Sequence, residues 1–236
     1  MLYPYYYFDW TYLLLIPALL LSIWAQAQVT GTYKKYARVY NRANYTGADV
    51  ARKILDMNGL YRVRIERIPG QLTDHFDPSS NVVRLSDATY DSFSVGSIGV
   101  AAHEVGHAIQ HAAGYTPIRI RNAIVPAVNI CNRLSIPILM IGLIFAYMGS
   151  FFQSLITLGI VLFAATVLFQ LITLPVEFNA SSRALQTLQN QHMLTEDEMQ
   201  GARAVLRAAA MTYVAAAVSA IMSLLRLILI SRNRRD

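Results

Sequence analysis

The sequence predicts an α-helical membrane fold with about four transmembrane segments that carries a small mixed α/β unit. Three observations lead there. Of the 236 residues, 55% are hydrophobic and only 14% are charged, which is too apolar for an ordinary soluble domain. Apolar runs of spanning length recur near the start, in the middle and at the end of the chain. Between the first and second runs lies a polar stretch, 30–133, with β-rich runs and helical periodicities. The net charge is +6, but Lys and Arg are scattered through the polar segments and not gathered with aromatic residues. That pattern excludes a nucleic-acid groove and leaves anionic phospholipid as the acidic neighbour. Cys131 is the single cysteine, so an intramolecular disulfide is impossible. Beside apolar residues it reads as a small packing residue.

The first 29 residues form an N-terminal anchor. Residues 10–29 make an apolar run of about 20 residues, enough to cross the hydrocarbon core, and the aromatic cluster "YPYYYFDW" before it suits the interface. Ala25-Gln26-Ala27 resembles a signal-peptide cleavage site. However, no Lys or Arg precedes the run, while Lys34, Lys35, Arg38 and Arg42 follow it and oppose export. The expectation is an uncleaved anchor with its N-terminus outside and the polar region 30–133 in the cytoplasm. Within that region Thr46 reads as a helix N-cap with Asp49 three residues on, and Asn58-Gly59 as the stop. "YRVRIERI" and "NVVRLS" read as strands flanking the turn-rich "PGQLTDHFDPSSN". Residues 94–113 follow as a helix with a polar stripe, ended by Gly114.

Residues 118–133 alternate Arg with apolar residues and are expected near the membrane surface. A transmembrane hairpin spans 134–174, its apolar runs joined by the uncharged "GSFFQ". Residues 175–207 are polar again. In them Thr195 and Glu198 form a capping box, with Leu194 and Met199 as its hydrophobic staple. The helix that starts there enters the last apolar segment, 208–230. A crossing would carry Arg232, Arg234 and Arg235 outside, against the charge rule. A helix lying on the cytoplasmic surface is therefore the competing reading. The nearly uncharged run 211–225 and the reach of arginine near a helix end favour the span.

The chemistry is concentrated in "HEVGHAIQH", which holds three of the chain's five histidines. His103 and His107 are one turn apart, so on a helix both imidazoles project from one face and can share a zinc ion. Glu104, beside the first, can reach a water without ligating the metal. His111 lies about 12 Å from His103 along the axis, too far for the same ion, and reads as solvent-facing or as support behind a ligand. The position ten residues after His103 is Ala113, so the extended three-histidine pattern is absent. Glu177, at the end of a long apolar run, is the candidate third ligand. Two spans between His107 and Glu177 return the chain to the same face of the bilayer; one or three would not.

"HEVGHAIQH" and "EFNASSRA", preceded by "LTDHFDPSSNVVRLSDATYDSFSVGSIGVAAHE", resemble the YugP-like family of bacterial membrane zinc metallopeptidases over essentially the whole chain. The sequence is more distantly similar to the HtpX-like membrane gluzincin proteases, which have a zinc helix and a later E-x-x-A-D helix. The resemblance implies a zincin-like catalytic unit with His103, His107 and Glu177 as ligands of one zinc ion and Glu104 as base. The HtpX-like pattern places Asp where this chain has Ser181; where that carboxylate orients a ligating histidine, a hydroxyl would do so more weakly, or another group substitutes. His75, in the loop "LTDHFDP", is a candidate donor to the oxyanion, although solvation explains a loop histidine equally well; Tyr90 and Arg183 are outsiders for such a role. By analogy with HtpX-like enzymes, "NVVRLS" occupies the position of an edge strand that holds extended substrate.

These readings converge on a multi-pass protein of the bacterial cytoplasmic membrane with its catalytic region on the cytoplasmic side. The expected activity is zinc-dependent hydrolysis of peptide bonds, with unfolded or membrane-associated polypeptides as substrates. An intramembrane-cleaving protease fits less well, because Asp87, Asp91 and Ser94 lead into the zinc helix. The alternative from another class is a non-catalytic scaffold or chaperone-like membrane protein with a structural zinc. Such a site is normally closed by four protein ligands, whereas three are apparent here beside Glu104.

Overall fold

A computed structural model describes residues 9–233. Most of the N-terminal aromatic cluster, as well as Arg234 and Arg235, lies outside the described residues. Seven α-helices and three strands follow in the order α1 (Leu15–Tyr36), α2 (Gly47–Met57), β1 (Arg64–Ile68), β2 (His75–Asp77), β3 (Val82–Ser86), α3 (Asp87–Tyr90), α4 (Val95–Ala112), α5 (Thr116–Ile144), α6 (Ser150–Asn190) and α7 (Glu196–Asn233). Among the described residues, four helices are long and apolar enough to cross a membrane: Trp10–Tyr36 with its leading 3-10 turn, Thr116–Ile144, Ser150–Asn190 and Glu196–Arg232. The four apolar segments expected from hydropathy thus sit on four helices. Arg-bearing 118–133 continues without a break into the apolar run behind it, as one helix α5.

The residues form two compact units. One comprises Ala25–Ala123 and Ile172–Tyr213. Its core packs Ile54 and Leu55 of α2, Val83 and Leu85 of β3, Ile98 and Val105 of α4, Leu188 of α6 and Leu206 of α7. Local chemistry sets the helix ends. Thr46 and Asp49 cap α2 reciprocally, and Ser94 caps α4 by accepting from Ser97 N. The far end of α4 closes in a Schellman turn: Tyr115 N donates to Gln110 O at 3.0 Å and Gly114 N to His111 O at 3.1 Å. Gly114 takes the positive φ of +65° that this turn needs.

The sheet order is β1-β3-β2, with β1 parallel and β2 antiparallel to β3. Two sequence expectations change here. "NVVRLS" is the central strand, bonded on both sides and buried at Val82, Val83, Leu85 and Ser86, so it has no free edge for a substrate. The reason is in its composition: adjacent Val82 and Val83 are both apolar, which suits burial on both faces and not a half-exposed edge. His75 is not in a loop either. It opens the short edge strand β2, whose turn into β3 is built by Asp77, which accepts from Ser79 N at 2.9 Å and is paired with Arg84 at 2.8 Å.

The other unit comprises the described residues of 1–24 with Ile124–Leu171 and the end of α7. Here α5 and α6 approach closely at two glycines. A Cβ on Gly142 would stand 2.7 Å from Ile156 N, and one on Gly159 2.7 Å from Leu139 Cβ. In the same unit α1 and α7 run antiparallel, since Ser22 meets Ser219 at 3.1 Å and Asp9 meets Arg226 at 3.3 Å. Arg226 also stacks over the Tyr12 ring at 3.8 Å, so its charge is compensated within an apolar helix.

Candidate metal centre

The candidate centre is assembled by α4 and α6, both within the first unit at this point. His103 and His107 project from one face of α4, and their rings meet edge to face with centroids 4.7 Å apart. Glu177 of α6 is buried and brings Oε2 to 3.2 Å from His103 Nε2 and 3.4 Å from His107 Nε2. One donor atom from each of the three lies within 4.8 Å of the others. Such convergence requires the two helices to be in backbone contact, and Gly106 makes that possible. A Cβ there would stand only 2.7 Å from Ala180 O.

Each imidazole is held from behind. His103 Nδ1 is 3.1 Å from Ser181 Oγ, one turn after Glu177 on α6. His107 Nδ1 is 3.0 Å from Gln110 Oε1. Gln110 is fully buried and donates from Nε2 to Val176 O at 2.8 Å and Asn179 Oδ1 at 3.0 Å, which fixes its carbonyl toward His107. A carbonyl only accepts, so His107 carries its proton on Nδ1 and its Nε2 lone pair is free to ligate. Asn179 is in turn held by Arg183 Nε at 2.7 Å. Arg121 of α5 donates to the other Glu177 oxygen at 3.2 Å.

This donor set fits zinc: two neutral imidazole nitrogens and one carboxylate oxygen, with the second nitrogen of each histidine engaged. The electrostatics agree. Burial works against charge on His107, yet the hydrogen bond with Glu177 and the negative charges of Glu104 and Glu177 hold its pKa above the ordinary value. Two carboxylates thus stand beside the imidazoles.

Glu104 is half-buried and its carboxylate makes no hydrogen bond among the described residues. It lines cavities on both sides of the centre, together with Asp74 and Tyr213. Tyr213 and Glu177 both line the cavity on the His107 side. His75 lines the cavity on the His107 side, with Nδ1 at 2.9 Å from Thr73 O and Nε2 at 3.5 Å from Arg84. His111 is exposed, lies outside the donor cluster and packs against the Phe76 ring. Tyr90 packs against the hydrophobic core.

Sequence reasoning missed Gln110, Asn179, Arg121 and Tyr213. Gln110 had a signal, being a polar residue three positions after His107 and so on the same stripe of the helix as His103 and His107. Tyr213 had one also, as a hydroxyl-bearing aromatic within "AAAMTYVAAA". Arg121 had none, since "IRIRN" reads equally as an interfacial segment.

The membrane protease YugP of Bacillus subtilis (strain 168), described as putative, is 49% identical over 223 residues, covering 94% of this chain and 97% of that protein. No solved structure matches. Residues 11–232 match the model of the family described as "Putative neutral zinc metallopeptidase", and at that coverage the chain belongs to this family of zinc peptidases.

Proposed function

We propose that this membrane zinc metallopeptidase cleaves peptide bonds at a single zinc ion held by His103, His107 and Glu177, with Glu104 as general base. The observation that carries the proposal is the separation of roles around one point. Three donors converge with their supports in place, while Glu104 stays outside the set and faces open cavities. Zinc, when bound, supplies the Lewis acidity that makes a water acidic near neutral pH. Glu104 takes a proton from the water whose oxygen attacks the scissile carbonyl carbon. As the C–N bond breaks, Glu104 delivers that proton to the leaving nitrogen. Ser181 and Gln110 keep the imidazoles in the ligating tautomer. Tyr213 is the donor for the carbonyl oxygen as negative charge develops. His75 is poorer in that role, because a proton on Nδ1 directed at Thr73 O leaves Nε2 an acceptor.

Three protein donors and a carboxylate facing a cavity favour a catalytic site over a structural one closed by four ligands. The deciding experiment measures peptide hydrolysis and zinc content in wild type and Glu104→Gln. Hydrolysis should vanish with about one zinc per chain retained; persistent hydrolysis refutes the mechanism. The catalytic region is proposed on the cytoplasmic side, from the Lys and Arg residues that follow the first span, with both termini outside because α7 runs antiparallel to α1. Ser231→Cys in a Cys131→Ser background should react with an impermeant thiol reagent in intact cells. Labelling only after lysis refutes that orientation.

A further inference from the structure

Two cavities meet at Glu104, and their walls differ in character. The first, about 340 Å³, lies on the His103 side between α1, α4 and α7. Val29, Leu72, Val100, Val205, Leu206 and Ala209 supply an apolar lining. Its two carboxylates, Glu104 and Asp74, both stand where the cavities join. Asp74 is turned toward β3, where it accepts from Ser86 N at 2.8 Å and Ser86 Oγ at 2.9 Å. The second cavity, about 160 Å³, lies on the His107 side and is polar, with Arg121, Asn122 and His75 in its walls. Asp74, Glu104 and Tyr213 line both.

From this we infer that the peptidase selects extended polypeptides that place a large apolar side chain, of the Leu, Met or Phe class, beside the scissile bond in the first cavity. A polar or acidic residue follows on the other side, in reach of Arg121. The inference deepens the proposed peptide hydrolysis and rests on it. A bond held over Glu104 lies at the junction, so the residues flanking it enter unlike surroundings. A charged side chain in the first cavity would exchange its water for a mostly apolar wall in which Gln26, Tyr33 and Thr212 offer only uncharged polar groups. A Leu or Phe side chain gains by leaving water, and one fits the space. Folded soluble proteins bury most such side chains, so the substrates that satisfy this cleft are non-native or membrane-associated chains that expose them.

Ala209 is the wall residue best suited to a test, because it is small, half-buried and lines the cavity. The full-length zinc-loaded protein is assayed in detergent with quenched peptides that vary only at the two residues flanking the cleaved bond. Wild type should favour Leu or Phe over Ala or Asp in the apolar position by at least about tenfold in kcat/KM, the scale of hydrophobic-pocket discrimination. Ala209→Leu, which fills the cavity, should lower the Phe-to-Ala ratio at least about tenfold. Val205→Ala, which enlarges it, should move the preference toward Trp. A flat preference, a preference for charge, or a ratio unchanged in both folded variants overturns the inference with peptide hydrolysis intact. If wild type cleaves no peptide, the proposed function fails instead. The cleft is then decided by fluorescence-anisotropy titration of Phe- and Ala-bearing peptides against Glu104→Gln: tighter binding of the Phe peptide supports it, and equal binding overturns it.

Discussion

Gln110→Leu tests whether the candidate centre depends on support from behind its ligands. The substitution keeps the approximate volume of a fully buried side chain while removing three hydrogen bonds: to His107 Nδ1 at 3.0 Å, Val176 O at 2.8 Å and Asn179 Oδ1 at 3.0 Å. Asn179 retains its bond from Arg183, so the loss falls on His107 and the Val176 carbonyl. A buried N–H left without a partner costs about 1–3 kcal/mol. If that cost is felt mainly in the ligating tautomer, zinc binding weakens about 5- to 150-fold, close to the roughly 10- to 100-fold known for partners behind metal ligands. The assay is chelator competition, read beside the thermal midpoint. Gln110→Glu separates the two parts of the role. It keeps an acceptor for His107 but sets a second acceptor against Val176 O and Asn179 Oδ1. Stability should therefore fall while zinc affinity stays nearer wild type than in the Leu variant. Zinc affinity within about twofold of wild type in Gln110→Leu, with an unchanged midpoint, would refute the reasoning.

Three further outcomes follow from the same geometry. Glu177→Ala should cut zinc content well below one per chain, measured by elemental analysis, because it removes one of three donors and leaves Arg121 unpaired beside the imidazoles. Gly106→Ala should lower both thermal stability, by about 1–3 kcal/mol, and zinc affinity, since its Cβ at 2.7 Å from Ala180 O forces α4 and α6 apart; Gly99→Ala, 3.5 Å from Ala202, should be near neutral. Asp77 has its pKa held well below the ordinary 3.8, first by the Ser80 hydroxyl and then by Arg84, so its stabilising contribution is present above that value and lost as the pH falls below it. Asp77→Asn should therefore flatten the acid limb of the thermal midpoint against pH.

What the sequence makes legible is local. The reciprocal caps at Thr46–Asp49 and Thr195–Glu198 depend on residues three apart, and both are present in the structure. The four apolar helices follow from composition and length alone. The order of the strands is less visible. β2 has three residues inside a turn-rich stretch, too few for any periodicity, and its pairing decides that β3 is central and not an edge. Residues 118–133 and the apolar run behind them form one helix, because hydropathy changes there while helix propensity does not. A helix can carry Arg at one end and an apolar run at the other without interruption.

The candidate site divides along the same line. His103, Glu104 and His107 are close in sequence, and a helix alone places them. Glu177 and Ser181 need a second fact, that two separate helices touch, and this fact depends on a residue type that carries no chemistry. Gly106 stands between the histidines, where any Cβ would hold α6 away at Ala180 O. Because that contact is made by backbones, Glu177 and Ser181, one turn apart on α6, are carried together to His103. The first presents a carboxylate to Nε2 and the second a hydroxyl to Nδ1. The place of the hydroxyl at 181 has a cause that the sequence does not display. It follows from the backbone contact at Gly106, and in the proposed site it would fix the imidazole tautomer while Glu177 and Glu104 supply the negative charge.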